Sequence, residues 1–120
     1  MATRGQDLGA AGETAAAEAL SRAGYEILER NLRTPFGEID ILARHQGLLC
    51  LVEVKSRSDD RFGSPAEAVT PAKRSRLRRM ATFLLMRPEW REASVRFDVV
   101  AVLKAPGGGL AVEILPDAFS

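Results

Sequence analysis

The chain has 120 residues, 46% of them hydrophobic and 28% charged, with a formal net charge of +1. This is globular rather than disordered composition, long enough to bury a core, so one domain over residues 1–120 is expected. A single cysteine, Cys50, and a single histidine, His45, exclude an internal disulfide and zinc sites of the finger or protease kind; no run is apolar enough to span a membrane, and Met1 to Gly12 lacks a leader's basic-then-apolar layout, so a cytoplasmic protein without a membrane partner is expected.

Asp7 to Ala23 reads as a helix, because Leu8, Ala11, Ala15, Ala19 and Leu20 recur at helical spacing and Gly24 stands where a left-handed cap belongs. Tyr25 to Arg30 reads as a short strand with Tyr25 and Ile27 on one face, and Asn31 to Pro35 as a connection. Gly37 to Arg44 and Leu48 to Lys55 read as two strands joined by the hairpin turn His45-Gln46-Gly47. Ser56 to Pro65, with Asp59, Asp60, Gly63 and Pro65, reads as a loop, and Ala66 to Val69 as a short helical piece.

Thr70-Pro71 is a helix start, a capping residue followed by proline at the first helical position. That helix is expected to reach about Arg87, stopped by Pro88, with Leu77, Met80, Ala81, Leu84 and Leu85 as its buried stripe. Val95 to Leu103 reads as a strand, Ala105 to Gly109 as a turn and Leu110 to Leu115 as the last strand. The fold class expected from this order is α/β: a mixed five-stranded sheet flanked by helices, in the order α-β-β-β-α-β-β. The first three strands pair antiparallel, and the third and fourth pair parallel across a helical crossover.

A hairpin centred on Gln46-Gly47 sets His45 against Leu48 and, counting outward, Asp40 against Glu53. Lys55 shares the face of Glu53, while Cys50, Val52 and Val54 point the other way as core. Opposed carboxylates would stand ~5 Å apart. At an effective dielectric constant of about 20 their repulsion is roughly 3 kcal/mol, less where water screens it. A divalent cation turns that repulsion into attraction, and Lys55 adds a positive charge near a scissile phosphate. The competing account is a wet sheet face on which Lys55 neutralises two acids, and a one-residue slip would part Asp40 from Glu53.

The small net charge conceals a basic stretch: five of the seven residues from Lys73 to Arg79 are Lys or Arg and none is acidic. Lys73, Arg74, Arg76 and Arg78 are candidates for phosphate contacts, against the alternative of a solvated helix face. Glu38 reads as solvated, Asp98 as structural with Arg96 as a partner, His45 as a turn residue, Trp90 as partly buried and Cys50 as inert core.

Asp40 followed by Glu53-Val54-Lys55 resembles the acid…Glu-x-Lys signature of the PD-(D/E)XK nuclease superfamily. More narrowly, five blocks resemble the YraN family, bacterial proteins related in fold to archaeal Holliday-junction resolvases. These are Gly9-Ala10-Ala11-Gly12-Glu13, Gly37-Glu38-Ile39-Asp40, Val52-Glu53-Val54-Lys55-Ser56-Arg57, Glu67-Ala68-Val69 to Lys73, and Arg96-Phe97-Asp98-Val99. Ile39 stands where the superfamily's proline would be. The resemblance implies a restriction-endonuclease-like fold and an endonuclease acting on DNA, leaving a 5′-phosphate and a 3′-hydroxyl. It implies Mg²⁺ or Mn²⁺ held by Asp40, Glu53, the Val54 carbonyl and Glu13, with Lys55 orienting the attacking water. It also implies Arg57 and Lys73 against nucleic acid, and a homodimer. A nucleic-acid-binding module that cuts little or nothing, and a structural adaptor, are the rival readings.

Overall fold

A computed structural model of the chain describes residues 4–57 and 68–120. The readings for Ser58 to Glu67, which cover most of the polar loop and the start of the short helical piece, lie outside the described residues. The end of that piece, Ala68 and Val69, is turn and bend rather than helix.

Helix α1 (Arg4–Arg22) is followed by strands β1 (Glu26–Thr34), β2 (Gly37–His45) and β3 (Leu48–Arg57). Helix α2 (Pro71–Leu84), a 3-10 turn at Pro88–Trp90, and strands β4 (Ser94–Lys104) and β5 (Leu110–Phe119) complete the order. The sheet runs β1-β2-β3-β4-β5 and is antiparallel except at β3–β4, as the sequence leads one to expect of a mixed α/β sheet. Among the described residues no helix is long and apolar enough to cross a membrane.

Local chemistry explains the ends. After α1, Tyr25 N–H returns to Leu20 O at 2.9 Å and Gly24 N–H to Ser21 O at 3.2 Å, with Gly24 at φ +94°. This is a Schellman motif, its hydrophobic contact made by the buried Leu20 and Tyr25. Thr70 Oγ1 accepts from Lys73 N–H at 3.2 Å, and Pro71 occupies the first turn of α2. That helix ends three residues short of the expected Arg87, and the 3-10 turn that follows buries Trp90.

Strand β3 runs two residues past its expected end, so that Ser56 and Arg57 are strand rather than loop, and two other strands outrun their sequence boundaries by more. β1 continues through the expected connection to Thr34, with Asn31 in the left-handed region at φ +53°. β5 continues past Leu115 to Phe119 despite Pro116, because an edge strand tolerates a missing N–H and a bulge near Asp117 (φ +52°) absorbs the irregularity.

Each sheet face carries one helix. On the α2 side Leu77, Met80 and Leu84 pack with Ile39, Leu42, Leu49, Leu51 and Val99. On the α1 side Ala16 and Leu20 pack with Ile41, Ala43, Cys50, Val52, Val100 and Val102. Leu85, expected in the buried stripe of α2, is the half-buried cap residue instead. Along α1 Leu20 is buried as expected, while from Gly9 onward the other buried positions are Gly12 and Ala16, one residue round from the expected Ala11 and Ala15.

Candidate functional site

The β2–β3 turn has positive φ at both central residues, Gln46 (+54°) and Gly47 (+75°), as a two-residue primed hairpin requires. It fixes the register from His45↔Leu48 to Ile41↔Val52, where the pairing stops. The Asp40–Glu53 pair that the hairpin count predicts lies one residue beyond the ladder, and Asp40 reaches β3 through its side chain instead. Its Oδ2 accepts a hydrogen bond from Val54 N–H at 2.8 Å. Ile39 belongs to the α2-side core and Ile41 to the α1-side core, so β2 rolls over at the residue between them. The roll brings the Asp40 carboxylate against β3 where the ladder has ended.

Glu53 is 4% exposed on the α2 side of the sheet, the face of Leu49 and Leu51. Two ammonium groups share its Oε1: Lys73 Nζ from α2 at 3.6 Å and Lys55 Nζ from β3 at 3.7 Å. Its Oε2 is buried and has no hydrogen-bond partner. Glu13 approaches from α1 on the other side, and its Oε1 is likewise buried without a partner. Gly12 permits this approach. A Cβ there would collide with Ser56 Oγ and press on Ser56 Cβ at 3.3 Å, so a larger residue would push α1 off β3 beside Glu13.

The electrostatics centre on Asp40. Burial raises the Glu53 pKa, and the Asp40 charge raises it further against the pull of Lys73 and Lys55. Glu13 is raised first by burial and then by Asp40, while Arg30 and the side chain of Asn31 oppose the shift. Asp40 itself is raised by burial more than its Val54 hydrogen bond and the two lysines lower it. All three acids therefore carry their charge at a cost. Two buried carboxylate oxygens without partners are an expense a folded protein ordinarily avoids. Hard oxygen donors with spare lone pairs suit a hard divalent cation, so the donor set fits Mg²⁺ or Mn²⁺ in kind. Its spacing is wider: among the described residues no three Asp, Glu, His or Cys side chains stand close enough together to hold a metal as they are.

The basic candidates separate. Lys73 joins the site through Glu53. Arg74 Nε donates to Val69 O at 2.8 Å and its guanidinium lies 5.0 Å from the Phe119 ring centroid, so its side chain is built into the fold. Arg78 Nη1 donates to the Ser120 carbonyl at 3.0 Å. Arg76 is exposed and Arg57 half-buried. Glu38 is half-buried, 3.8 Å from Arg33.

Three features escape sequence reasoning. Lys73 reads there as a phosphate contact, yet here it is the counter-ion of Glu53; the one signal is a lysine in a first turn without acids. Asn31 stands beside Glu13 from within a stretch that reads as a connection. The third is a polar knot on the α1 side, away from the acids. Arg96 grips the fully buried Asp98 with two bonds of 2.8 Å and reaches Tyr25 Oη and His45 Nδ1 at 2.9 Å. Tyr25 Oη donates to Asp98 at 2.7 Å, Asp117 N–H donates at 3.0 Å, and the His45 ring stacks on Tyr25 with centroids 3.9 Å apart. Asp98 is structural with Arg96 as its partner, as expected; His45 does more than turn the chain. Cys50 is buried core, its thiol pushed up to about 11 by burial.

The sequence profile of a group described as "Uncharacterised protein family UPF0102" matches residues 12–102. A UPF0102 protein of Symbiobacterium thermophilum is 47% identical over 112 residues, covering 93% of this chain and 95% of the relative. One of Clavibacter michiganensis is 47% identical over 116 residues, covering 97% and 98%. One of Nocardia farcinica is 46% identical over 114 residues, covering 95% and 90%. The profile's span takes in Glu13, Asp40, Glu53, Lys55 and Lys73.

Proposed function

The chain belongs to UPF0102, a family described as uncharacterised, and from its site we propose that it is a metal-dependent, resolvase-like endonuclease hydrolysing phosphodiester bonds in DNA. The observation that carries this reading is the pair of buried, unpartnered carboxylate oxygens, Glu13 Oε1 and Glu53 Oε2, whose acids both feel Asp40. A fold does not retain such atoms for stability. The helix and strand order and the mixed sheet agree with a restriction-endonuclease-like fold, which is the architecture we assign.

Asp40 and Glu53 would hold Mg²⁺ or Mn²⁺, joined by the Val54 carbonyl and by Glu13 after a side-chain rotation. Such an ion supplies Lewis acidity toward a phosphoryl oxygen and acidifies water. Val54 N–H keeps the Asp40 carboxylate aimed at β3. Lys55, fixed on the face of Glu53, orients the water and meets the charge that develops on the phosphate. Lys73, Arg76 and Arg57 meet backbone phosphates, which would make binding strongly salt-dependent.

A second reading, a nucleic-acid-binding module that cuts little or nothing, is favoured by one observation. Two lysines already sit on Glu53, and the acids are too far apart to hold a metal as they stand. Cleavage of branched, flapped, single-stranded and duplex DNA with Mg²⁺ or Mn²⁺ separates the two. The nuclease reading expects cutting by wild type, lost in Asp40→Ala and Lys55→Ala. Intact substrates with retained binding would favour the module, and equal cutting by all three proteins would contradict the assigned site.

A further inference from the structure

Glu53 is more crowded with positive charge than a buried carboxylate with a free oxygen should be. Lys55 is there by construction, two residues along the same strand on the same face. Lys73 comes from a different element, in the first turn of α2, where its backbone N–H is pinned by Thr70 Oγ1 and its side chain is 27% exposed. A cation in a first turn opposes the helix dipole, and this turn holds no acid to offset it. Its contact with Glu53 is loose: at 3.6 Å the ammonium is well beyond the ~2.8 Å of a strong charge-assisted hydrogen bond.

We propose that Lys73 holds the divalent cation's place against Glu53 in the metal-free protein, gives it up when the cation binds, and turns to the anionic phosphate of the substrate. This rests on the metal-dependent reading above and names the residue that regulates that site. Charge matching supports it. With Glu13, Asp40 and Glu53 ionised, Lys55 and Lys73 leave the cluster at −1, and the outer pair Arg30 and Glu38 cancel. A divalent ion makes the cluster +1, the complement of one phosphodiester. Lys73 is the group able to move, because four rotatable carbons separate its ammonium from a backbone held by the helix cap, and among the described residues its ammonium makes no ion pair other than that with Glu53. Its effect on the metal runs through Glu53.

The test is calorimetric titration of Mn²⁺ into wild type, Lys73→Met, Lys73→Arg and Arg79→Met, the last neutralising an exposed charge on the same helix. Duplex DNA binding in Ca²⁺ is measured alongside. The expected result is Mn²⁺ binding about tenfold tighter in Lys73→Met, wild-type affinity in Lys73→Arg and Arg79→Met, and weakened DNA binding in Lys73→Met alone of the Lys73 pair. A residue that merely braces the site would weaken metal and DNA together. Lys73→Gln replaces the methionine variant if that one does not fold. Mn²⁺ affinity unchanged or weaker in Lys73→Met overturns the inference and leaves the metal site standing. Wild type that takes up no Mn²⁺ overturns the metal reading itself, and this inference with it.

Discussion

Burial, with Glu38 beside it, opposes the charge of Asp40 more than the Val54 N–H bond, Lys73 and Lys55 favour it. An asparagine would keep an oxygen for Val54 and lose the repulsion toward Glu53 and Glu13. We therefore expect Asp40→Asn to stabilise the metal-free protein by about 1 kcal/mol in urea unfolding while abolishing metal binding and cleavage. A destabilised Asp40→Asn would mean that its charge is structural. Asp98 is the opposite kind of acid. Burial pushes its pKa up, but Arg96, the Asp117 N–H and Tyr25 outweigh burial and hold it below the usual carboxylate range. Its depressed folded value contributes stability that is present above the unfolded value of about 3.9 and lost as pH falls through the folded one. Arg96→Met should cost about 3 kcal/mol at pH 7, because it leaves Asp98 buried and unpaired. The deficit should shrink on acidification, as Asp98 takes up a proton. Unfolding curves at pH 7 and pH 4 check both the size and the sign.

The register of the hairpin that carries Asp40 and Glu53 is legible in the sequence because a two-residue turn at Gln46-Gly47 permits one register, the one observed as far as Ile41↔Val52. The roll of β2 at Asp40 is not legible. Ile39 and Ile41 are the same residue type, and only packing decides which core each enters. Asn31 is hidden for a related reason. Its neighbourhood of Arg33, Thr34 and Pro35 looks like a turn, and tertiary pairing with β2 overrides that preference.

At the scale of elements, α1 is a platform for Glu13. Its cap is readable from Gly24, but its buried face is displaced by one residue from the expected one, because a run of alanines offers no hydrophobic contrast to fix the phase. What fixes the phase is Gly12, set against Ser56 of β3. Gly12→Val should lift this end of α1, costing about 2 kcal/mol from overpacking. It should also weaken Mn²⁺ binding by displacing Glu13, whereas Ala17→Val, at a half-buried position of the same helix, should leave Mn²⁺ affinity as it is. Equal metal affinity in Gly12→Val and wild type would remove Glu13 from the site. Helix α2 shows the complementary case. Its start is written in Thr70-Pro71 and its buried stripe in Leu77, Met80, Ala81 and Leu84. The pairing of Lys73 with Glu53 depends on where the sheet sets β3 beneath that first turn, which no local pattern encodes.

The two helices lie on opposite faces of the sheet, and their candidate site residues approach it from both sides. Glu13 arrives from one layer, Lys73 from the other, and Asp40 and Glu53 stand between them on strands whose ladder has just ended. A net charge of +1 thus hides a segregated distribution, with repelling acids gathered at one place and a basic helix start beside them. The strand order and the parallel β3–β4 pairing follow from chain connectivity, so the architecture is readable in advance; the polar knot of Tyr25, His45, Arg96 and Asp98 joins two strands, β2 and β4, to the link between α1 and β1 and is not. The measurement that tests the central claim most directly is anomalous scattering from crystals of the wild-type protein soaked in Mn²⁺. The account predicts a peak within bonding distance of Asp40 and Glu53, with Lys73 withdrawn from the Glu53 carboxylate. No peak at that position, with both lysines still on Glu53 and the ion saturating elsewhere or nowhere, would contradict it.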